Sequence, residues 1–485
     1  MTIHAIVLGL IVLTLLIVSV ARMGKVKTKA DYLVAGRSLP TFVLVFTLLS
    51  SWIGSGSLLG GAENAYRHGF PALWQGGGGW AGLLLIYFIA PRARHFAQFT
   101  IPDLLEARYN QTARILGVVA VLFAYTAIAS YQITGGGDIL HLIFPAYITA
   151  DLGKYIIAFF VILFTAIAGM ASVAYMDVVI GSLATVTMCV ALPILIHHAG
   201  GWPAVTHSLP ASHFQVLGDF SLIQALELFL PTCLLMLGNQ AMYQKFFSAR
   251  SEKAASHAVV WWIFGTVILE TVIVAIAVVG SVLFPAGEVH DHPREILAWT
   301  ALHGLNGSPL LSLIGALLMG SIFAKIISTA NNFLFSPATN LVNDIFLRYL
   351  APNASNKRIL IVSRLMVVLL GCWALYQSLH IESVLKKALY AYTIYSAALT
   401  PVILAAFYSR RVNAQGAVSA IFAGTITTVC WDLPIVHNSL PAWLAERDAI
   451  FPALVLSLLC LVIVSAATKP PKAEQVAKFF PENVL

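Results

Sequence analysis

Apolar residues run along this chain in long blocks, separated by short polar stretches. About 20 apolar residues cross a bilayer as a helix. Thirteen runs of that order stand at 3–22, 39–65, 72–92, 113–142, 154–172, 175–198, 223–246, 257–284, 309–345, 358–379, 384–408, 414–433 and 448–468. The pattern predicts an all-α polytopic membrane protein with thirteen transmembrane helices. No long polar segment interrupts the runs, so residues 1–485 read as one transmembrane domain. Residues 3–20 lack a basic leader and a small-residue cleavage site, so they read as a retained first helix.

Loop charge checks the count. Loops that follow odd-numbered runs, together with the tail, hold 21 of the basic residues, among them Arg37, Arg94, Lys245, Arg250, Arg348 and Arg411. The opposite side holds six: Arg67, Lys154, Arg294, Lys386, Lys387 and Arg447. Short basic loops face the cytoplasm. The split places the N-terminus outside and the C-terminus inside the cell, in what reads as a bacterial inner membrane. One missed helix would scramble it.

Two runs make poor continuous helices. The second contains Ser50-Ser51-Trp52-Ile53-Gly54-Ser55-Gly56-Ser57 and then Gly60-Gly61; the seventh contains Pro231 and then Gly238-Asn239-Gln240. Glycine costs a helix about 1 kcal/mol against alanine. Two breaks five runs apart fit a 5+5 inverted repeat in helices 2–11, with binding at the interrupted segments. Residues 39–410 then form a ten-helix core. Residues 1–38 supply the first helix and a cytoplasmic loop, and 411–485 supply two extra helices and a short tail.

Lys325 changes the picture most. It stands mid-run in Ser321-Ile322-Phe323-Ala324-Lys325-Ile326-Ile327-Ser328-Thr329. An ammonium at mid-bilayer costs roughly 2.5–3.5 kcal/mol on insertion scales, so it needs a partner or a wet cavity. Positions i, i+3 and i+4 share a helix face. Lys325, Ser328 and Thr329 therefore aim one cation and two hydroxyls at one place, which reads as an ion site carrying its own ion.

Composition narrows the function classes. The chain is 59% hydrophobic and 10% charged, against about 25% charged in soluble domains. Its net charge of +7 sits in topology-setting loops, so no nucleic-acid partner is expected; the partners are a small solute and the lipid bilayer. Cys189, Cys233, Cys372, Cys430 and Cys460 all lie in apolar runs and read as small core residues. Gly76-Gly77-Gly78-Gly79 lacks the Lys-Ser/Thr of a phosphate loop. His290-Asp291-His292 reads as a solvated outer loop and not as a metal tract. Trp261 and Trp262 read as an interface belt. No histidine stands inside a run at a convincing partner position for a serine nucleophile, so no enzyme and no cofactor is expected.

Five motifs then carry a resemblance. They are Asp31-Tyr32-Leu33-Val34-Ala35-Gly36-Arg37, Ile101-Pro102-Asp103-Leu104-Leu105-Glu106-Ala107-Arg108-Tyr109, Ser172-Val173-Ala174-Tyr175-Met176-Asp177, Gln244-Lys245-Phe246 and Ile327-Ser328-Thr329-Ala330. In this order they resemble the sodium/solute symporter family. The resemblance implies a LeuT-type fold and secondary transport. It also implies a sodium site made by the carbonyls of Ser50, Ile53 and residue 325 and the hydroxyls of Ser328 and Thr329, with Asp177 on the ion's route inward. The chain departs from that pattern at Lys325, where the family has alanine, and at Asn331, where an acid is usual.

An ammonium has three donors and no acceptor, and oxygens that would hold sodium can accept from it. One reading is that Lys325 replaces sodium, which makes transport sodium-independent or coupled to protons. The other leaves an ordinary sodium symporter in which Lys325 pairs elsewhere, with Asp138, Glu227 or Glu270. The family's solute pocket maps to Trp52, Ser57, Gln75, Trp80, Asn239 and Gln240. The segments around Trp52 and Tyr175 look most like the choline-transporter branch, although Asn239 stands where that branch has another tryptophan. A choline-like amine or a zwitterionic amino acid is the expected solute class. A transporter-like sensor is the alternative from another class, although the short tail after the last run shows no signalling domain.

Overall fold

The computed structural model describes residues 2–23, 28–96, 99–167, 169–285, 289, 293–431 and 433–480. The His290-Asp291-His292 tract lies outside these. Each apolar run falls on a helical segment. We label them α1 (Thr2–Met23), α2 (Thr41–Trp52 with Gly56–His68), α3 (Leu73–Ile86), α4 (Gln111–Ile143), α5 (Ala150–Ile167), α6 (Met170–His198), α7 (Leu222–Ser248), α8 (Glu252–Leu283), α9 (Pro309–Leu350), α10 (Asn356–Ser378), α11 (Val384–Tyr408), α12 (Ala414–Trp431) and α13 (Ile450–Ala467). Among the described residues ten are long and apolar enough to cross a membrane, or eleven if the bent α2 counts as one. The others are α1, whose apolar stretch is Ile3–Val18, and α3, with 14 residues.

Burial separates centre from rim. In the apolar window of α11, 83% of residues are buried, and 67% in α4 and α9; in α10 and α13 only 28% are, so these two face lipid. Trp261 is exposed, as a belt residue would be, but Trp262 is fully buried. Successive residues on a helix point about 100° apart, so neighbours can take different environments, as this pair does.

The two breaks are real and each has a local cause. At the first, Ile53 leaves the helical region (ψ 104°) and the halves of α2 bend by 57°. A side chain at Gly54 would have its Cβ 2.7 Å from Thr329 Cγ2 and 2.8 Å from Gln132 Nε2, so only glycine lets α2, α4 and α9 meet. The freed Ser55 N–H donates to Gln132 Oε1 at 2.7 Å. At the second, Asn239 leaves the helix (ψ 111°) and its side-chain oxygen caps the next half, accepting from the Ala241 N–H at 3.0 Å. Such caps contribute about 1 kcal/mol each.

The basic loops share one face of the bundle. The Leu39 segment bridges to Ala249, and Arg94 Nε donates to Ala249 O at 2.7 Å. Arg108 reaches Ser409 O at 2.8 Å, and Arg114 pairs with Asp103 and with Glu106 at 2.9 Å. The α1–α2, α3–α4, α7–α8 and α11–α12 connections therefore lie together, as the charge alternation requires.

Candidate functional site

The break in α2 turns the carbonyls of Ser50 and Ile53 toward α9. The Thr329 hydroxyl meets Ser50 O at 2.8 Å, Ile53 O at 3.1 Å and its own Lys325 O at 2.9 Å. A hydroxyl carries one proton, so it satisfies one of these three oxygens at a time. The result is an oxygen-rich cradle made from four of the five groups expected at the ion site.

Lys325 stands beside that cradle, fully buried. Its Nζ donates to Ser50 Oγ at 3.1 Å. Among the described residues no carboxylate oxygen lies within 4.0 Å of it. The carboxylates that could have drawn it away are engaged elsewhere. Asp138 pairs with Arg294 at 3.1 Å, and Glu227 accepts from the Asp448 N–H at 3.2 Å. Glu270 accepts from Trp52 and Trp80.

The Ser328 hydroxyl donates to Asp177 Oδ1 and so turns from the cradle. Thr47 donates to the other carboxylate oxygen, as does Asn332 Nδ2 at 3.3 Å. Asp177 is thus a buried hub that ties α6 to α2 and α9. Asn331, the other departure from the family pattern, accepts from Thr165 at 3.0 Å.

Lys245 must be moved from the loop count. It is fully buried, and its Nζ donates to Thr47 O at 2.9 Å. The Asn239 break starts a new half-helix, Gln240–Ser248, and packing carries Lys245 inward against α2. Its position six residues after a predicted break was the signal available in the sequence. The site region therefore holds two buried lysines and one buried aspartate.

The expected solute residues divide into two groups. Trp52, Ser57, Gln75 and Trp80 come together around Glu270. Trp52 Nε1 donates to Glu270 Oε1 at 2.7 Å, and Trp80 Nε1 donates to Oε2 at 2.6 Å. Ser57, Gln75, Gly76 and Glu270 line one small cavity together with Ile273 and Val274. A Cβ at Gly76 would lie 2.8 Å from Glu270 Oε2, so a larger residue there would push the carboxyl group aside. One face of Trp52 stacks on Tyr392, with centroids 6.4 Å apart.

Asn239 and Gln240 are held apart from this group by structural bonds. Tyr125 donates to Asn239 Oδ1 at 2.7 Å. The Gln240 N–H donates to Tyr395 Oη at 3.0 Å, and its side-chain oxygen accepts from the Ile101 N–H at 2.5 Å. Glu270 entered the sequence reading only as a partner for Lys325. Its bonding to two tryptophans, 218 and 190 residues away, has no local signal.

A broken helix with carbonyls facing the hydroxyls of another helix is the architecture of ion-linked secondary transporters. Comparison agrees. Residues 32–424 match the Sodium:solute symporter family, and the chain belongs to that family. It is 25% identical over 481 residues to the osmoregulated proline transporter OpuE of Bacillus subtilis, covering 96% of this chain and 94% of the relative. It is 23% identical over 467 residues to a sodium/proline symporter of Staphylococcus aureus, covering 92% and 88%. Among solved structures it superposes on the substrate-bound, outward-open state of a Na+-coupled sialic acid symporter with TM-score 0.80 at 18% identity, covering 97% and 98%. It also superposes on Mhp1, a nucleobase-cation-symport-1 family transporter, with TM-score 0.60 at 12% identity, covering 93% and 99%. The fold is that of LeuT-type secondary transporters.

Proposed function

We propose that this chain moves a small amine-bearing solute, a choline-like amine or a zwitterionic amino acid, by alternating access, and that the Lys325 ammonium stands in for the sodium ion. One observation carries this. Lys325 Nζ is seated on Ser50 Oγ, next to the Ser50, Ile53 and Lys325 carbonyls, and among the described residues no carboxylate oxygen lies within 4.0 Å of it. Two like charges about 4 Å apart repel by about 4 kcal/mol at an effective dielectric near 20. A sodium ion in the cradle would meet like-charge repulsion from the ammonium, with a size set by their separation. Transport is then sodium-independent, or coupled to a proton carried by Lys325, with Asp177 as the acid on the route inward.

The second reading is ordinary sodium coupling with Lys325 swung aside. It is favoured by the cradle itself, where one Thr329 proton faces three carbonyls. Our reading of the frame is thirteen spans with a 5+5 repeat in α2–α11. The core is 39–410, flanked by 1–38 and 411–485. The N-terminus is outside, the C-terminus is cytoplasmic, and the membrane is a bacterial inner membrane.

The test is uptake of L-proline and of choline into proteoliposomes, with sodium replaced by potassium. Uptake that persists without sodium supports replacement, and strict sodium dependence ends it. Lys325→Ala restores the family residue and should create a sodium-dependent rise in melting temperature that the wild type lacks. A measured flux also removes the sensor alternative.

A further inference from the structure

We infer that Glu270, with the side-chain oxygen of Gln75, is the subsite for a protonated nitrogen bearing N–H groups, so that primary and secondary ammonium solutes are accepted and quaternary ones are refused. The inference rests on the amine-transporter reading and divides its solute class in two.

The chemistry of the cavity wall carries it. Glu270 is buried in mid-helix on α8, and among the described residues no lysine, arginine or histidine nitrogen lies within 4.0 Å of it. A carboxylate offers about four lone-pair positions. The indole N–H groups of Trp52 and Trp80 occupy one on each oxygen, which leaves acceptor capacity on both. Gln75 is buried, at 7% exposure, and its Oε1 has no hydrogen-bond partner. Gln75 and Glu270 line the same cavity. Two unspent acceptors, one of them a carboxyl, face a space whose other polar lining side chain is Ser57, with one hydroxyl proton to give. Burying such groups is costly unless a partner arrives, and a charged N–H donor gives the stronger kind of hydrogen bond.

Two further facts favour N–H over N-methyl. The free space is about 20 Å3, enough for about one water; an ammonium group is of that size and a trimethylammonium group is not. The tryptophans also point the wrong way for a quaternary cage, which needs ring faces. Their N–H edges are spent on Glu270, Trp52 has a face covered by Tyr392, and neither indole lines the cavity. A trimethylammonium group has no N–H to give Gln75.

The experiment is a thermal-shift titration of the purified full-length protein with two matched probe pairs, L-proline against N,N-dimethylproline and ethanolamine against choline. The N–H member of each pair should bind about tenfold or more tighter than its quaternary partner, about 1.4 kcal/mol. Glu270→Gln should erase that preference. Quaternary probes that bind as well as their partners overturn the inference and leave amine transport standing. Unchanged affinity in Glu270→Gln does the same. If Glu270→Gln does not fold, the wild-type pairs still decide the matter. If no probe shifts either the wild type or Lys325→Ala in sodium, the amine reading falls and takes this inference with it.

Discussion

At the scale of single residues, the site depends on small side chains as much as on charged ones. Gly54 lets the broken α2 touch α9, and a methyl group there would press on Thr329 and Gln132 at 2.7–2.8 Å. Overpacking of this kind costs about 1–3 kcal/mol. Gly54→Ala should lower the melting temperature and abolish transport. Gly77→Ala, one helix away, meets nothing within 4 Å and should be neutral or stabilising by up to about 1 kcal/mol. Equal effects of the two substitutions on melting and uptake would show that close approach at Gly54 is not what matters. Lys325 was legible from the sequence because the i, i+3, i+4 rule needs no tertiary information. Lys245 was hinted at only by its place after the second break, because a lysine at the end of a run looks the same whether its half-helix turns inward or ends in water.

At the scale of elements, the segment 293–304 between α8 and α9 is tied to the bundle by charge. It comprises Pro293–Glu295, Ile296–Trp299 and Thr300–Gly304. Arg294 ties it to α4 through Asp138 at 3.1 Å. Burial pushes the Glu295 carboxyl up from 4.5 to about 7; the Asp138 charge adds to this and Arg294 opposes it. A carboxyl whose folded value is raised holds its proton more tightly in the folded state. Stability is therefore greatest at low pH and falls as pH rises from the ordinary value through about 7. Melting temperature should decline across that window, and Glu295→Gln should flatten the decline. His4, His141 and His303 line the same cavity as Glu295, so the readout is the difference between variant and wild type. A variant with the wild-type slope would remove Glu295 from the explanation. The helix breaks themselves were visible in the glycine clusters. What each break was for was not visible, since one exposes carbonyls to Thr329 and the other serves as a cap held by Tyr125.

At the scale of the whole molecule, the loop charges and the contacts agree on which loops share a face. They make orientation testable. In a cysteine-free background, Gln215→Cys in the exposed connection between α6 and α7 should react with a membrane-impermeant thiol reagent in intact cells. Lys472→Cys, after α13, should react only once the cells are permeabilised. The reverse pattern would invert the topology, and labelling of both in intact cells would mean an odd number of spans had been miscounted.

From its sequence alone this protein is a polytopic helical membrane protein, with helix positions, the side shared by its basic loops, two interrupted helices and a lysine on an ion-site face. Those features rest on hydropathy, charge and helical periodicity, which are properties of neighbouring residues. The tertiary structure decided that Lys325 sits on Ser50, that Lys245 is buried beside the same cluster, and that two tryptophans spend their N–H groups on Glu270. Each joins helices far apart in the chain, and burial in a bilayer gives a polar group whatever partner packing brings within reach, which no local pattern encodes.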